Sequence, residues 1–515
     1  MIKIKINNKE VTASPGKNML QVARAEGIEI PSMCFYEGMP HFTSCMICLV
    51  KNRQSGKLFP SCSVKPVDGM DIITDDREIH EARKKSLELL LSDHVGECEA
   101  PCKIACTANM DIPGMNRLLV QGKIDKALQL VRKDIALPSV LGRICTAPCE
   151  AVCRRGAIDE TVSICLLKRY AGDFGNIVIS KKEIISDKKV AVIGAGPAGL
   201  SAAFYIRKKG FGTVLFDKNM LAGGKLQTAI PEEKLPKSIL NREIQLIEES
   251  GVEFRLNEKI SNEIFSEYLQ KYDAIILAIG ENKNLLADWG IDVFEKGAKV
   301  NRENQQSNIP KVFVVGNAFR YSKMAIRSLG QGKDVAESVE QFLNHQEVKG
   351  PAKYFNSRFG KLMETEFQEY LKEATSDKQF IPTNGIAEGF NKKEIIREAA
   401  RCLHCDCRKL DNCKLRDYSE EYQADQKKYK YGERKLMRKI DQHNLIIYEP
   451  GKCIKCSICV RLTEKYKEKL GLTFIGRGFD VQISVPFNES LNKGLEKIAI
   501  EVAEACPTGA MARKF

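Results

Sequence analysis

Nineteen cysteines dominate the chemistry available to this 515-residue sequence, and they fall in tight groups. Cys34, Cys45, Cys48 and Cys62 are spaced C-x10-C-x2-C-x13-C. Cys98, Cys102, Cys106 and Cys145, Cys149, Cys153 are two C-x3-C-x3-C triplets, a small internal repeat, and Cys165 follows them. Cys402, Cys405, Cys407 and Cys413 form a C-x2-C-x-C-x5-C run. Cys453, Cys456 and Cys459 read C-x2-C-x2-C, and Cys506 opens the word CPTG. Thiolates at such spacing hold iron–sulfur clusters or zinc, and a C-x2-C pair presents two ligands from one loop. In a reducing compartment they are metal ligands rather than disulfides.

All of these thiols lie outside Lys189–Asp217, KVAVIGAGPAGLSAAFYIRKKGFGTVLFD. This stretch reads strand, glycine turn, helix, strand, acid. Gly194 permits the tight turn, Gly196 lets the backbone approach a pyrophosphate, and Gly199 lets the helix pack on the strand. Pro197 and Ala198 open the helix, whose free N–H groups and positive dipole end favour phosphates. Asp217 stands where a ribose hydroxyl needs an acceptor.

Length sets a prior of about three or four domains. The apolar fraction of 43% supports buried cores. No run of about 18 apolar residues indicates a membrane span, and MIKIKINNKEV alternates like a strand rather than a signal peptide. A cytoplasmic location is expected. The net charge of +13 comes from basic residues interleaved with acids. It reads as solvated surface or subunit interface rather than a nucleic-acid site.

The expected architecture is multi-domain α/β and α+β. Residues 1–80 form a ferredoxin-like β-grasp domain with a helix near Asn18–Glu26. Residues 81–180 form a helical iron–sulfur domain, with apolar periodicity in Ala82–Ser92 and Ile124–Val131. Residues 181–345 form a Rossmann-like FAD domain, and 346–442 are linker helices carrying a Cys402–Cys413 cluster site. Within that linker Asp417–Ile440 reads as a charged helical stretch. Residues 443–515 form a bacterial ferredoxin-like domain.

The words CFYEG, SCMICLV and SCSVKPVDGMDIIT resemble the 2Fe–2S domain of the complex I large iron–sulfur subunit and of iron-only hydrogenases. The first interval departs from the plant-type ferredoxin spacing. His41, inside this loop, is read as a surface histidine. The run from CKIAC to LKRYAGD resembles the N-terminal helical domain of the glutamate synthase small subunit, shared by dihydropyrimidine dehydrogenase and the ferredoxin–NADP transhydrogenase large subunit. That resemblance implies two 4Fe–4S clusters, for which the triplets supply six thiols. Its crossing pattern implies Cys98, Cys102 and Cys153 on one cluster, with His94 as a candidate fourth ligand. Cys106, Cys145 and Cys149 then share the other, with Cys165 as the candidate. The alternatives are a helix-end histidine and a buried core thiol. The Cys402–Cys413 run is read as one metal site, 4Fe–4S or structural zinc, with His404 incidental. EPGKCIKCSICV and ACPTGAM resemble bacterial ferredoxins, so Cys453, Cys456, Cys459 and Cys506 make one 4Fe–4S site.

After Asp217, the segment LAGGKLQTAIPEEKLP resembles the flavin side of the same family, with Gly223, Gly224 and Lys225 beside the cofactor. YDAIILAIG ends on Gly280, and KVFVVGN ends on Gly316–Asn317, followed by a helix from about Ala325. In disulfide-reductase-like folds the last motif reads VGD; Asn317 keeps a hydrogen-bonding side chain and loses the charge. Glutamate-synthase-type enzymes insert a second dinucleotide domain, for NADPH, within the flavin domain. A βαβ unit alone needs about 30 residues, and no second glycine fingerprint occurs between Gly280 and Val312.

The expected cofactors are FAD, one 2Fe–2S and two to four 4Fe–4S clusters. The expected function is an electron-transfer subunit of a soluble multi-subunit oxidoreductase, with the flavin a candidate for bifurcation. It would relay electrons between an NADH/FMN-type subunit or ferredoxin and another redox partner, such as a hydrogenase- or dehydrogenase-like subunit. Two alternatives stand beside it: a stand-alone NAD(P)H- or ferredoxin-dependent reductase, and a zinc-stapled scaffold without redox work.

Overall fold

The sheet that holds the glycine fingerprint is parallel throughout. In this computed structural model, which describes residues 2–40, 42–177 and 183–514, its five strands run in the order Val312–Val314, Ala274–Leu277, Lys189–Ile193, Gly212–Phe216, Glu253–Arg255. The central strands are continuous apolar runs because both faces are covered. The helix Pro197–Lys208 follows the first strand and packs along Ala325–Leu343. Contact is close because Gly332 has no side chain: a Cβ there would meet Ala198 O and lie 2.7 Å from Ser201 Cβ.

The chain divides into two compact units. The second unit, Ala100–Lys353 with Glu373–His404, contains this sheet and the helices Pro101–Ala105, Ile112–Val120, Ile124–Val131, Pro138–Ile144, Pro148–Ala151 and Ile164–Phe174. One apolar core runs through both parts and includes Met115, Leu141 and Leu167 from the helices and Val192, Ile276 and Leu329 from the nucleotide fold. Lys333 fastens the two, donating to Ala108 O at 2.7 Å and pairing with Asp134 at 2.9 Å.

The first unit comprises Met1–Glu99, Tyr354–Lys372 and Cys405–Phe515. Its N-terminal sheet is ordered Lys9–Ala13, Ile2–Ile6, Asp71–Ile73, Leu49–Asn52, Leu58–Pro60. Ile2–Ile6 runs parallel to Asp71–Ile73 and antiparallel to Lys9–Ala13, the β-grasp arrangement. The helix Met19–Ala25 lies within the expected span, opened by an Asn18–Gln21 capping box, and buries Met19, Leu20, Val22 and Ala23. The C-terminal part pairs Ile446–Tyr448 with Met511–Arg513 and carries the helices Ile458–Lys465 and Ala499–Ala505.

Residues 346–442 carry three helices, Glu364–Leu371, Lys392–Ala399 and Lys414–Glu421, and the segment is divided between the units. One expectation needs correction. The charged stretch Asp417–Ile440 leaves helix at Glu421. Its backbone finds partners elsewhere, because Met437 N donates to Glu366 and Lys439 N to Glu369, each at 2.6 Å, while Arg434 pairs with Glu366. His41 lies outside the described residues.

Candidate functional site

The nucleotide site is built at the C-terminal ends of the parallel strands. Gly194 adopts φ +109°, and a Cβ there would strike the Ala278 carbonyl. A Cβ on Gly199 would collide with Gly194 O, so both glycines are required by the fold itself. Gly196 differs: a Cβ there would meet nothing within 4 Å, which leaves its backbone open to a ligand at the helix N-terminus. Asp217, 9% exposed, accepts from Ala195 N at 2.6 Å and from Asn219 N and Nδ2 at 2.8 Å. It ties the glycine turn to the second strand and retains lone pairs for a ribose.

Gly223 (φ +121°) and Gly224 (φ +52°) turn the chain back beneath this site, where Gly223 N donates to Ala195 O at 2.7 Å. Gly280 and Gly316 are also left-handed, at φ +71° and +67°. The structure brings Lys225 and Asn317 together around Glu281, which the sequence reading missed. Lys225 pairs with Glu281, and Asn317 Nδ2 donates to Glu281 Oε1 at 3.0 Å. Glu281 thus restores an acid beside the position where Asn317 stands, and these contacts lower its pKa. Ala325 begins the helix that follows. An open glycine turn, a buried acid and a free helix N-terminus fit an FAD dinucleotide.

Between Gly280 and Val312 the chain forms a short helix, Lys283–Asp288, and a hairpin of two-residue strands, Val293–Phe294 and Gly297–Ala298.

In the first unit, Cys34, Cys45, Cys48 and Cys62 are all buried. Hydrogen bonds from Cys45 and Cys62 hold the Cys34 thiol far below its ordinary pKa, and the same contacts push Cys45 and Cys62 up. Cys48, bonded to Cys62, falls to about 7. The four thiols therefore interact as one set.

Cys453, Cys456, Cys459 and Cys506 line one cavity with Tyr448 and Thr508. Left-handed Lys455 and Ser457 curl the loop so that successive cysteines point inward. Lys455 N lies 3.4 Å from Cys453 Sγ and Met511 N 3.5 Å from Cys506 Sγ. Backbone N–H groups aimed at sulfur stabilise a cluster's added electron. Burial raises Cys453 to about 11 and Cys456 and Cys459 further. An enclosed four-thiol cavity of this kind fits a 4Fe–4S cluster.

A third thiol group in this unit crosses long sequence distances. Cys98 has Cys407 as a charged neighbour, and Cys413 has both. Cys407 N donates to Cys98 O at 2.9 Å, and Ser357 N approaches Cys98 Sγ at 3.4 Å. Burial raises Cys98 to about 11 and Cys413 to about 12. Lys452 stands beside this group: burial opposes its charge, while Cys407 and Glu449 reinforce it. His94 belongs to the same unit, and burial and then the Lys452 cation lower it to about 3, so its imidazole is neutral.

In the second unit Cys106, Cys145, Cys149 and Cys165 surround Lys168. Burial opposes the Lys168 charge and the four thiols outweigh it. Cys145 and Cys165 are hydrogen-bonded to one another, and Cys165 N donates to Glu150 at 2.7 Å. Cys402, in the second unit, has Asn116 and Cys153 as neighbours, while Cys407 and Cys413, in the first, have Cys98. Cys102 lies on Pro101–Ala105, packed against Pro148–Ala151. Among the described residues, no three His, Cys, Asp or Glu side chains are placed to hold a single metal ion. No described helix is long and apolar enough to cross a membrane.

Four family profiles match in succession. They are described as a 2Fe-2S iron-sulfur cluster binding domain (residues 1–77), dihydropyrimidine dehydrogenase domain II, 4Fe-4S cluster (76–177), pyridine nucleotide-disulphide oxidoreductase (188–280), and the NADH-quinone oxidoreductase subunit 3 ferredoxin-like domain (444–512). Among curated relatives, the NADP(+)-dependent formate dehydrogenase subunit beta of Moorella thermoacetica is 37% identical over 207 residues, covering 35% of this chain and 29% of that protein. The NADPH-Fe(3+) oxidoreductase subunit beta of Geobacter sulfurreducens is 35% identical over 207 residues, covering 39% and 30%. The glutamate synthase [NADPH] small chain of Halomonas elongata is 35% identical over 214 residues, covering 40% and 45%. The chain thus spans under half the length of these relatives. It joins 2Fe–2S, 4Fe–4S, FAD and ferredoxin-like modules in one polypeptide, and it is an iron–sulfur flavoprotein built of oxidoreductase domains.

Proposed function

We propose that this chain is an electron-transfer subunit that links iron–sulfur centres to FAD and leaves pyridine nucleotide to another polypeptide. Clusters pass electrons singly, and a flavin exchanges them singly or in pairs, so bound together they join pair chemistry to one-electron wires. The protein's residues supply the seats: four thiols at Cys34–Cys62, four at Cys453–Cys506, the two groups of the second unit, and the Cys98, Cys407, Cys413 group.

One observation carries the reading. The segment between Gly280 and Val312 is a six-residue helix and a minimal hairpin, where glutamate-synthase-type enzymes accommodate a nicotinamide domain. The 2Fe–2S module then resembles the entry point for electrons from an NADH/FMN-type subunit in complex I and related hydrogenases. Two of the relatives are themselves named as beta subunits, which supports a multi-subunit setting. The test is anaerobic: mix the purified chain with NADH or NADPH and follow the flavin band. Slow or absent bleaching, with fast bleaching on adding a reduced ferredoxin or a co-purified flavoprotein subunit, is the expected result. Rapid bleaching by NADPH alone favours the stand-alone reductase.

A further inference from the structure

The second unit contains seven cysteines, Cys102, Cys106, Cys145, Cys149, Cys153, Cys165 and Cys402. Four of them gather around Lys168. Cys102, Cys153 and Cys402 are left, and the matched 4Fe–4S profile, residues 76–177, stops far short of the last.

Cys402 is held beside Cys153 by a buried ionic ring. Arg155, two residues beyond Cys153, is 1% exposed and donates to Asp159 at 2.5 and 2.7 Å and to Thr375 O at 2.7 Å. Arg401, immediately before Cys402, is fully buried. It donates to Asp159 at 2.9 Å, Glu398 at 3.0 Å and the carbonyls of Glu160 and Thr161 at 2.6 and 3.1 Å. Arg155 Nη1 also reaches Arg401 O at 3.3 Å. The two buried guanidiniums share the partly exposed Asp159 carboxylate and bind backbone carbonyls from both segments. The ring therefore fixes the segments that carry the two thiols relative to each other.

A second observation points at the same place. Asn116, on Ile112–Val120, is 1% exposed, and neither its oxygen nor its nitrogen has a hydrogen-bond partner of ordinary geometry. Its amide lies against the Cys402 thiol. A buried carboxamide without ordinary partners calls for an explanation, and an adjoining redox centre is one. The helix carrying it packs on Lys392–Ala399, the helix that leads into Cys402.

We propose that Cys402 is a ligand of the iron–sulfur centre that Cys153 serves, with Cys102 as its third thiol and the Asn116 amide hydrogen-bonding to the Cys402 sulfur. A domain assigned to the N-terminal third of the chain then takes one ligand from beyond the flavin fold, so its centre cannot form until residue 402 is in place.

This rests on the iron–sulfur reading of the thiols, and the experiment separates the two. Full-length wild-type, Cys153→Ala, Cys402→Ala and the double variant are reconstituted anaerobically. Iron, sulfide and flavin are counted, and EPR spectra are taken after dithionite reduction. Wild-type without iron sinks the wider reading. With iron-loaded wild-type, each single variant is expected to lose the same EPR signal and the same iron, and the double variant nothing more. Retention of all iron in Cys402→Ala, or loss of a different signal from that lost in Cys153→Ala, overturns the proposal. Flavin retained at wild-type stoichiometry shows that the second unit has folded. Asn116→Leu does not depend on cluster loss: it should keep its iron and shift that one signal to lower potential, and an unchanged midpoint removes the amide from the account.

Discussion

Lys168 Nζ lies 3.8 Å from Cys165 Sγ, inside the second unit, with Cys106, Cys145 and Cys149 as its other thiol neighbours. A cation held there without water stabilises whatever negative charge the site carries, since screening is weak in the interior. Lys168→Met keeps the apolar stem and removes the charge. The expected result is full iron content and a lower midpoint for one cluster, by about 60 mV for each tenfold change in its one-electron equilibrium. Redox-poised EPR measures it.

The two helix-turn glycines make opposite predictions. Gly199→Ala drives a methyl into Gly194 O and should destabilise the second unit, seen as a lowered melting temperature and soluble yield. Gly196→Ala points into open space, so melting of the flavin-free protein should be unchanged. The methyl nonetheless stands where the pyrophosphate backbone must approach, and flavin content should collapse. Flavin absorbance and circular dichroism on both variants separate the effects.

Asn317 and Glu281 share a hydrogen bond at 3.0 Å on a partly exposed surface. The Lys225–Glu281 ion pair has side chains 67% and 44% exposed and should contribute little by itself. Asn317→Ala removes a flavin-side hydrogen-bonding group, worth about 1 kcal/mol, and should weaken FAD binding by roughly five- to tenfold. Lys225→Met should change it less. Flavin release on dilution, read by fluorescence, checks the order.

Much of this was legible from the residues alone. The strand–glycine–helix unit announced itself because its whole pattern lies in one short stretch, and the Gly199–Gly194 contact is local, although Gly194 also answers to the distant Ala278 carbonyl. The Cys34–Cys62 and Cys453–Cys459 groups were legible for the same reason. Spacing is silent where tertiary structure decides the partner. Nothing in C-x2-C-x-C-x5-C distinguishes Cys402, which turns to Cys153, from Cys407 and Cys413, which turn to Cys98. Glu281 escaped notice because its role depends on Lys225 and Asn317 arriving from two other segments of the chain. The charged stretch after Glu421 misled because helix-forming composition does not reveal that Glu366 and Glu369 will take its backbone N–H groups.

Glu243 links the fold to pH. It is fully buried and accepts from Ser139 N at 3.1 Å and Val140 N at 2.9 Å, at the start of Pro138–Ile144. Burial pushes it up from 4.5 to about 7, against the pull of Arg132 at 3.7 Å. The folded state therefore binds more protons than the unfolded between about pH 4.5 and 7. Stability from this group is complete below that window and falls as pH rises through it, at up to about 1.4 kcal/mol per pH unit. Glu243→Gln should flatten that slope. Thermal melting of both proteins at pH 5 and 7.5 tests the sign.

The account turns on what reduces the flavin. Stopped-flow mixing of the iron-loaded, FAD-loaded chain with NADPH and, separately, NADH under anaerobic conditions addresses it directly. The expected result is no flavin bleaching on the timescale of turnover with either nucleotide, while dithionite reduces both flavin and clusters. Fast bleaching with a saturable dependence on nucleotide concentration would contradict it, because it requires a nicotinamide site within this chain.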